Sequence, residues 1–299
     1  MIEYTKTRYN DEFCYYAADE IIGASLREYG EYSQIEVDLL LSILTENSVV
    51  YDVGGNIGYH TVAFASKAKK VYTFEPNFRT YSLLIRNVSQ YPNVYPMNFA
   101  AGDELKVLRC IDYDPAIPAN FGAVQLANEN AEYCSLGDKY TIKTLSVPVV
   151  PIDSLALDLP DLIKIDVEKH ELAVIKGCLN IIKQRPPVIF YEAHETPDFA
   201  EIYNLLKSLD FNLYWVPSPN YNPNNYKNNK EIMPAFKNTA LFSVIAVHAS
   251  LSQPRLVLVN GPDDSFQRVI DEGLCQVAKE EPEKKSKKKT SKRKVSKKE

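Results

Sequence analysis

The chain has 299 residues, 45% of them hydrophobic and 24% charged, with a formal net charge of −5. That length suits one large domain with extensions, and no apolar run approaches the ~18 residues needed to span a bilayer. Five cysteines (Cys14, Cys110, Cys134, Cys178 and Cys275) form no C-x-x-C pair, so neither a zinc ribbon nor a disulfide framework is indicated.

The opening "MIEYTKTRYNDEFCYY" is charged and lacks the apolar core of a secretory leader. The expected setting is therefore intracellular and soluble, the cytoplasm first, with a nuclear or viral setting left open. Charge is divided along the chain: residues 279–299 hold 11 Lys/Arg and 4 Asp/Glu, a tail of +7 on a body of −12. Such a Lys-rich, apolar-poor tail is expected to be disordered. It suits nuclear import or contact with nucleic acid or an anionic surface, and equally a solvated arm with no partner.

In "SQIEVDLLLSIL", Ser33 and Glu36 stand at the spacing of a capping box, followed by Val37, Leu40, Leu41 and Leu44 at helical intervals. A lead-in helix closes an N-terminal extension, residues 1–47. "SVVYDVG" reads as a buried strand, and Ile57, Thr61, Phe64, Ala65 and Ala68 then mark one helical face. A second strand "KVYTFEP", a helix from about Tyr81 to Gln90, and a third strand around "NVYPMNFAAG" follow. Residues 104–151 break the rhythm with β-like pieces "KVLRCI" and "TLSVPVV", which read as an insertion containing a hairpin. Alternation resumes with strand "DLIKIDV", one helix over "ELAVIKGCLNII", strand "PPVIFYEA", a helix near "FAEIYNLLKSL", and strands "FNLYWV" and "TALFSVIAVH". The expectation is an α/β domain over 48–250 with a mostly parallel, seven-stranded Rossmann-like sheet and helices on both faces. Residues 251–278 form a C-terminal extension with weak signals.

Gly54, Gly55 and Gly58 do not satisfy G-x-G-x-x-G, which argues against a dinucleotide. Asp52 instead precedes the glycines at the strand end, a layout suited to S-adenosylmethionine. A carboxylate there can act on the methionine ammonium directly or through the loop backbone, and Gly54, Gly55, Asn56 and Gly58 let the chain pass close to a ligand. The helix beginning near Gly58 would offer its positive end to the methionine carboxylate. Glu75 closes the second strand 21 residues after Gly54, where it can accept both ribose hydroxyls of any nucleoside ligand.

The segments "VVYDVGGNIGYHTVAFASKAKKVYTFEPN" and "LIKIDVEKHELAVIKG", with weaker support from "NFAAGDE" and "PPVIFYEAHE", resemble the FkbM family of S-adenosylmethionine-dependent methyltransferases over residues 35 to about 195. The resemblance implies a class I methyltransferase sheet, S-adenosylmethionine at the carboxyl ends of its first strands, and O-methylation of a hydroxyl on a sugar, glycan or small molecule. The chain departs from the family at Lys169, where glycine is usual, and at Gly55, where alanine is common.

Methyl transfer to an alcohol needs an in-line geometry and an acceptor for the hydroxyl proton, so candidates lie at the strand ends. Asp166 is placed near the methionine part and methyl group, with Glu168 or His194 taking the proton and Glu171 supporting the site or capping its helix. Glu168 and Glu171 also read as first-turn acids, His170 as exposed and His60 as a helix-face residue. No metal is required, although Asp166, Glu192 and His194 could ligate a divalent cation. Aromatic stretches "EYGEYS" and "FNLYWVPSPNYNPNNY" can stack on sugar rings or simply pack.

Two other classes stay open: an RNA or DNA methyltransferase tethered by the tail, and a cofactor-binding scaffold without turnover. The acidic body disfavours the first, and the retained carboxylates Asp52, Glu75, Asp166 and Glu168 disfavour the second.

Overall fold

The computed structural model describes residues 1–126, 144–194 and 196–273. Cys134, Cys275, the Lys-rich tail and the middle of the 104–151 insertion lie outside the described residues.

The chain enters as a hairpin of β1 (Ile2–Thr5) and β2 (Phe13–Tyr16), followed by α1 (Ile22–Tyr29) and α2 (Gln34–Ile43). No sequence signal marked this hairpin, yet β2 is wholly buried. Asn87 anchors it, accepting from the Cys14 N–H at 2.7 Å and donating to the Cys14 carbonyl at 2.9 Å. The expected capping box at α2 is not formed. Ser33 adopts φ 46° with no side-chain cap bond, and Glu36 turns inward to accept the Ser243 hydroxyl at 2.8 Å. A tertiary partner has taken the carboxylate that local spacing assigned to the helix end.

Next come β3 (Val49–Val53), α3 (Tyr59–Ala65), β4 (Lys70–Phe74), α4 (Phe78–Asn87) and β5 (Val94–Met97). The expected apolar face of α3 is buried as read. Helix α4 starts three residues before the expected Tyr81, because Asn77 caps it by accepting from the N–H groups of Arg79 and Thr80. The run "NVYPMNFAAG" splits: its second half is β6 (Ala100–Ala101), which joins β7 (Lys106–Ile111) and β8 (Thr144–Val150) in a separate sheet. β7 and β8 pair antiparallel, as the insertion hairpin requires.

The chain then forms β9 (Leu162–Ile165), α5 (Glu171–Lys176), α6 (Leu179–Gln184), β10 (Val188–Glu192), α7 (Pro197–Ser208), β11 (Phe211–Pro219) and β12 (Ala240–His248). The single helix expected over 171–182 is two. Asp153 accepts from the N–H groups of Asn180 and Ile181, starting α6 afresh, while Gly177 packs so closely that an added Cβ would lie 1.8 Å from the Gly102 carbonyl oxygen. β13 (Val257–Leu258) and α8 (Phe266–Asp271) occupy the weakly marked extension.

The main sheet has the order β13-β11-β12-β10-β9-β3-β4-β5, eight strands rather than seven, the addition being β13. From β10 to β5 all neighbours are parallel; β12 runs antiparallel to β10 and β11. Alternate residues feed apolar layers on the two faces, Val50 with Leu40 and Val62 on one, Tyr51 with Ile163 and Val174 on the other. The chain leaves β3 toward β4 and returns beside it as β9. Strand order reverses there, opening a crevice at the carboxyl ends of β3 and β9 where open α/β sheets bind ligands. Among the described residues no helix is long and apolar enough to cross a membrane.

Candidate active site

The crevice holds a cavity of about 300 Å³. Gly54 adopts φ 81°, and a Cβ on it would sit 1.8 Å from the Asp166 carbonyl oxygen, so only glycine lets the loop after β3 pass the end of β9. At Gly55 a Cβ would lie 2.1 Å from Thr73 Oγ1, which explains the absence of the alanine common in the resembling family.

Asp52 does not reach the cavity wall. It is fully buried, its Oδ2 accepting the Thr61 hydroxyl at 2.6 Å and its Oδ1 lying 3.5 Å from Lys164 Nζ. Of the two routes open to it, only the indirect one, through its neighbours and the loop, is compatible with this enclosure. Glu75 does line the cavity. Its Oε1 accepts from the Asn77 N–H at 2.8 Å and its Oε2 from the Asn56 N–H at 3.0 Å. Each oxygen keeps a second lone pair, and burial raises the carboxyl to about 7.

Asp166, Glu168 and Glu192 also line the cavity, and His194, outside the lining, lies against Glu192. Glu168 and Lys169 both follow β9 with positive φ, 54° and 73°, so the position where the family has glycine needs a left-handed backbone. Glu171 braces this turn by accepting from the Lys169 N–H at 3.1 Å. Ligand atoms of Glu168, Glu192 and His194 lie within 4.8 Å of one another and could converge on a cation. Glu168 thus stands where the sequence suggested Asp166.

The charges in this cluster shape one another. His194 Nε2 lies 3.2 Å from Glu192 Oε2, and that contact lifts the imidazole to about 9 despite its burial. Burial, then repulsion from Glu192 and Asp166, raises Glu168 to about 8. Burial alone would raise Asp166, but Lys164 Nζ at 3.1 Å outweighs it and holds the carboxyl below its usual range.

Lys164 was missed in the sequence. It reads as one polar residue within "LIKI", yet it is 3% exposed, donates to the Gly54 carbonyl at 3.1 Å and lies between Asp52 and Asp166. A lysine inside a doubly covered strand, flanked by acids on both neighbouring strand ends, was the available signal. Glu36 and Tyr32 were also missed as cavity residues. His60 faces the cavity rather than a plain helix surface, and His170, expected to be exposed, has a buried Nε2. Trp215 is core, stacked on Phe199 and bonded to Asp264. The Asn-rich loop is fastened to the N-terminal region, Asn222 donating to Glu31 at 2.7 Å.

The sequence pattern of the Methyltransferase FkbM domain matches residues 52–213, just over half of the chain. The hexuronic acid methyltransferase AglP of Haloferax volcanii is 31% identical over 175 residues, covering 57% of this chain and 66% of AglP, so the chain spans just under two thirds of that relative's length. Among solved structures, a methyltransferase FkbM from Methylobacillus flagellatus is 16% identical, covering 68% of this chain and 44% of that one with a TM-score of 0.45. A Streptococcus mutans methyltransferase solved in complex with SAH is 15% identical, covering 71% and 96% with a TM-score of 0.38.

Proposed function

The chain belongs to the FkbM methyltransferase family, and on that premise we propose that it transfers the methyl group of S-adenosylmethionine to a hydroxyl oxygen of a sugar or glycan. The observation that carries this reading is one cavity lined both by the buried Glu75 carboxylate beyond β4 and by Asp166, Glu168 and Glu192 beyond β9 and β10, with β3 between them. The hexuronic acid in the relative's name favours a sugar acceptor over other hydroxyl compounds.

The residues fit the cofactor. Glu75 has lone pairs left for two ribose hydroxyls, and Gly54, Gly55, Asn56 and Asp166 border the same cavity. When bound, S-adenosylmethionine supplies an electrophilic methyl group on a sulfonium centre. Lys164 fixes the register between loop and β9 by holding the Gly54 carbonyl and Asp166 together.

Of the two candidate bases, Glu168 is the better matched. Glu168 loses its proton above about pH 8 and can then accept one from the hydroxyl, whereas His194 keeps its proton up to about 9, so Glu168 becomes a free base at the lower pH. His194 then keeps Glu192 in place and balances its charge.

Calorimetric titration with S-adenosylhomocysteine and NAD, followed by methyl transfer to a panel of glycosides, tests the reading. The expected result is micromolar binding of S-adenosylhomocysteine alone, lost in Glu75→Ala, and a methylated product stable to mild alkali as an ether must be. NAD binding, or unchanged affinity in Glu75→Ala, defeats the cofactor assignment; an alkali-labile product defeats the hydroxyl acceptor.

A further inference from the structure

Among the described residues, the buried polar atoms of the cavity lining without a hydrogen-bond partner are Ser33 Oγ, His60 Nε2, His170 Nε2 and Glu192 Oε2, the last of which still faces His194; the first two lie together. Ser33 Oγ and His60 Nε2 belong to residues only 7% exposed, and neither makes a hydrogen bond. The Tyr32 hydroxyl approaches Ser33 without hydrogen-bond geometry. Native interiors seldom keep such groups unmatched, and where they do the groups commonly serve a ligand. Ser33 is moreover held at φ 46°, a backbone strain of the kind that collects at binding sites.

Both residues share this wall with Glu36 and Ser243, which are bonded to each other at 2.8 Å. Glu36 and Tyr32 feel the charges of Asp166 and Glu192, and Glu75 interacts with Asn56, Asn77 and Asp52, while Lys164 reaches both Glu36 and Glu75. The wall therefore faces the ends of β9 and β10. Ser33, Glu36 and Ser243 also lie outside residues 52–213, the stretch matched by the family pattern. Part of this wall is therefore built from outside the matched stretch, while His60, Asp166 and Glu192 lie within it.

We propose that Ser33, Glu36, His60 and Ser243 form a subsite for the uncharged hydroxyl groups of the acceptor sugar, a proposal that rests on the methyltransferase reading above. A hydroxyl both donates and accepts, so it can complete Ser33 Oγ and His60 Nε2 whichever role each takes. Burial keeps His60 neutral, lowering it to about 3, and keeps Glu36 protonated, raising it to about 8. Lys164, the cation whose charge reaches Glu36 and His60, is already engaged by Asp52 and Asp166, and the neighbouring Asp166 and Glu192 repel anions. The wall suits a neutral polyol face.

The test is saturation-transfer NMR of methyl β-glucoside on the full chain with saturating S-adenosylhomocysteine, for wild type, Ser33→Ala and His60→Phe, with urea unfolding of each. The second variant keeps an aromatic ring among Tyr32, Tyr59 and Phe64. Wild type is expected to bind the glucoside, and each variant to bind it about three- to tenfold more weakly, the loss of one hydrogen bond. Ser33→Ala should leave the urea midpoint unchanged or raised, because it removes an unmatched group. Absent transfer from wild type, undiminished transfer from both variants, or a lowered midpoint in Ser33→Ala overturns the proposal. Weakened S-adenosylhomocysteine binding in Ser33→Ala gives this wall to the cofactor and also overturns it. Failure of wild type to bind S-adenosylhomocysteine is seen separately and undoes the methyltransferase premise itself.

Discussion

Replacing Lys164 by methionine removes the one charge that ties the glycine loop to the end of β9. Its amine lies 3.5 Å from Asp52 Oδ1 and 3.1 Å from Asp166 Oδ2. At an effective dielectric of 20 each contact is worth about 5 kcal/mol before desolvation is subtracted. The Asp166 contribution must be discounted because its side chain is 39% exposed. Asp52 is fully buried, so its loss is felt almost undiluted. Removing one partner of such a pair costs about 3–5 kcal/mol, a large share of the ~5–15 kcal/mol of a typical domain. Urea unfolding of Lys164→Met should show that loss. Adding Asp52→Asn should recover at least half of it, because the stranded carboxylate is gone. A double variant no more stable than Lys164→Met would refute the electrostatic account and leave the Gly54 carbonyl bond and packing as the role of Lys164.

At Lys169 the backbone sits at φ 73° with an exposed side chain. Relief of a left-handed residue is worth about 1–2 kcal/mol, less the ~0.5–1 kcal/mol of extra glycine entropy, so Lys169→Gly should stabilise slightly, and a lower denaturation midpoint would contradict the strain assignment. Stability should fall from pH 6.5 to 8.5. Glu36 and Glu168 stay protonated in the fold up to about 8 and His194 up to about 9, while the unfolded chain has already released these protons. For Glu36, which is buried, the loss is about 1.4 kcal/mol per pH unit until its folded pKa is passed. His60, lowered to about 3, acts in the opposite sense, but its effect is nearly complete by pH 6.5. A midpoint rising across that window would show that these groups have lost their protons in the fold. The methyl-transfer rate should climb through pH 8 as Glu168 loses its proton; Glu168→Gln should remove that limb and about 10²–10⁴ of rate, whereas His194→Ala should retain it. A pH limb surviving in Glu168→Gln returns the base role to His194.

Local pattern carried much of this protein. The runs around Val49–Val53, Lys70–Phe74, Leu162–Ile165 and Val188–Glu192 are continuous and apolar because the strands are covered on both faces, and that is visible without a partner. The spacing of Asp52, Gly54, Glu75 and Asp166 was legible for the same reason, since each sits at or just beyond a strand end. Sequence-distant contacts decided the rest. Ser33 and Glu36 look like a helix cap at three residues' separation, but the partner of Glu36 is Ser243, 207 positions away. Lys164 reads as a lapse in a strand until folding sets Asp52 and Asp166 on either side of its amine. Gly177 reads as a residue inside one helix until Gly102 and Asp153 break it in two. Periodicity records which face of an element is apolar, so the sequence determined the α/β alternation and the central parallel strands. It holds no record of which distant group lies against a buried charge, and the low dielectric that makes that neighbour decisive exists only once the chain has closed around it.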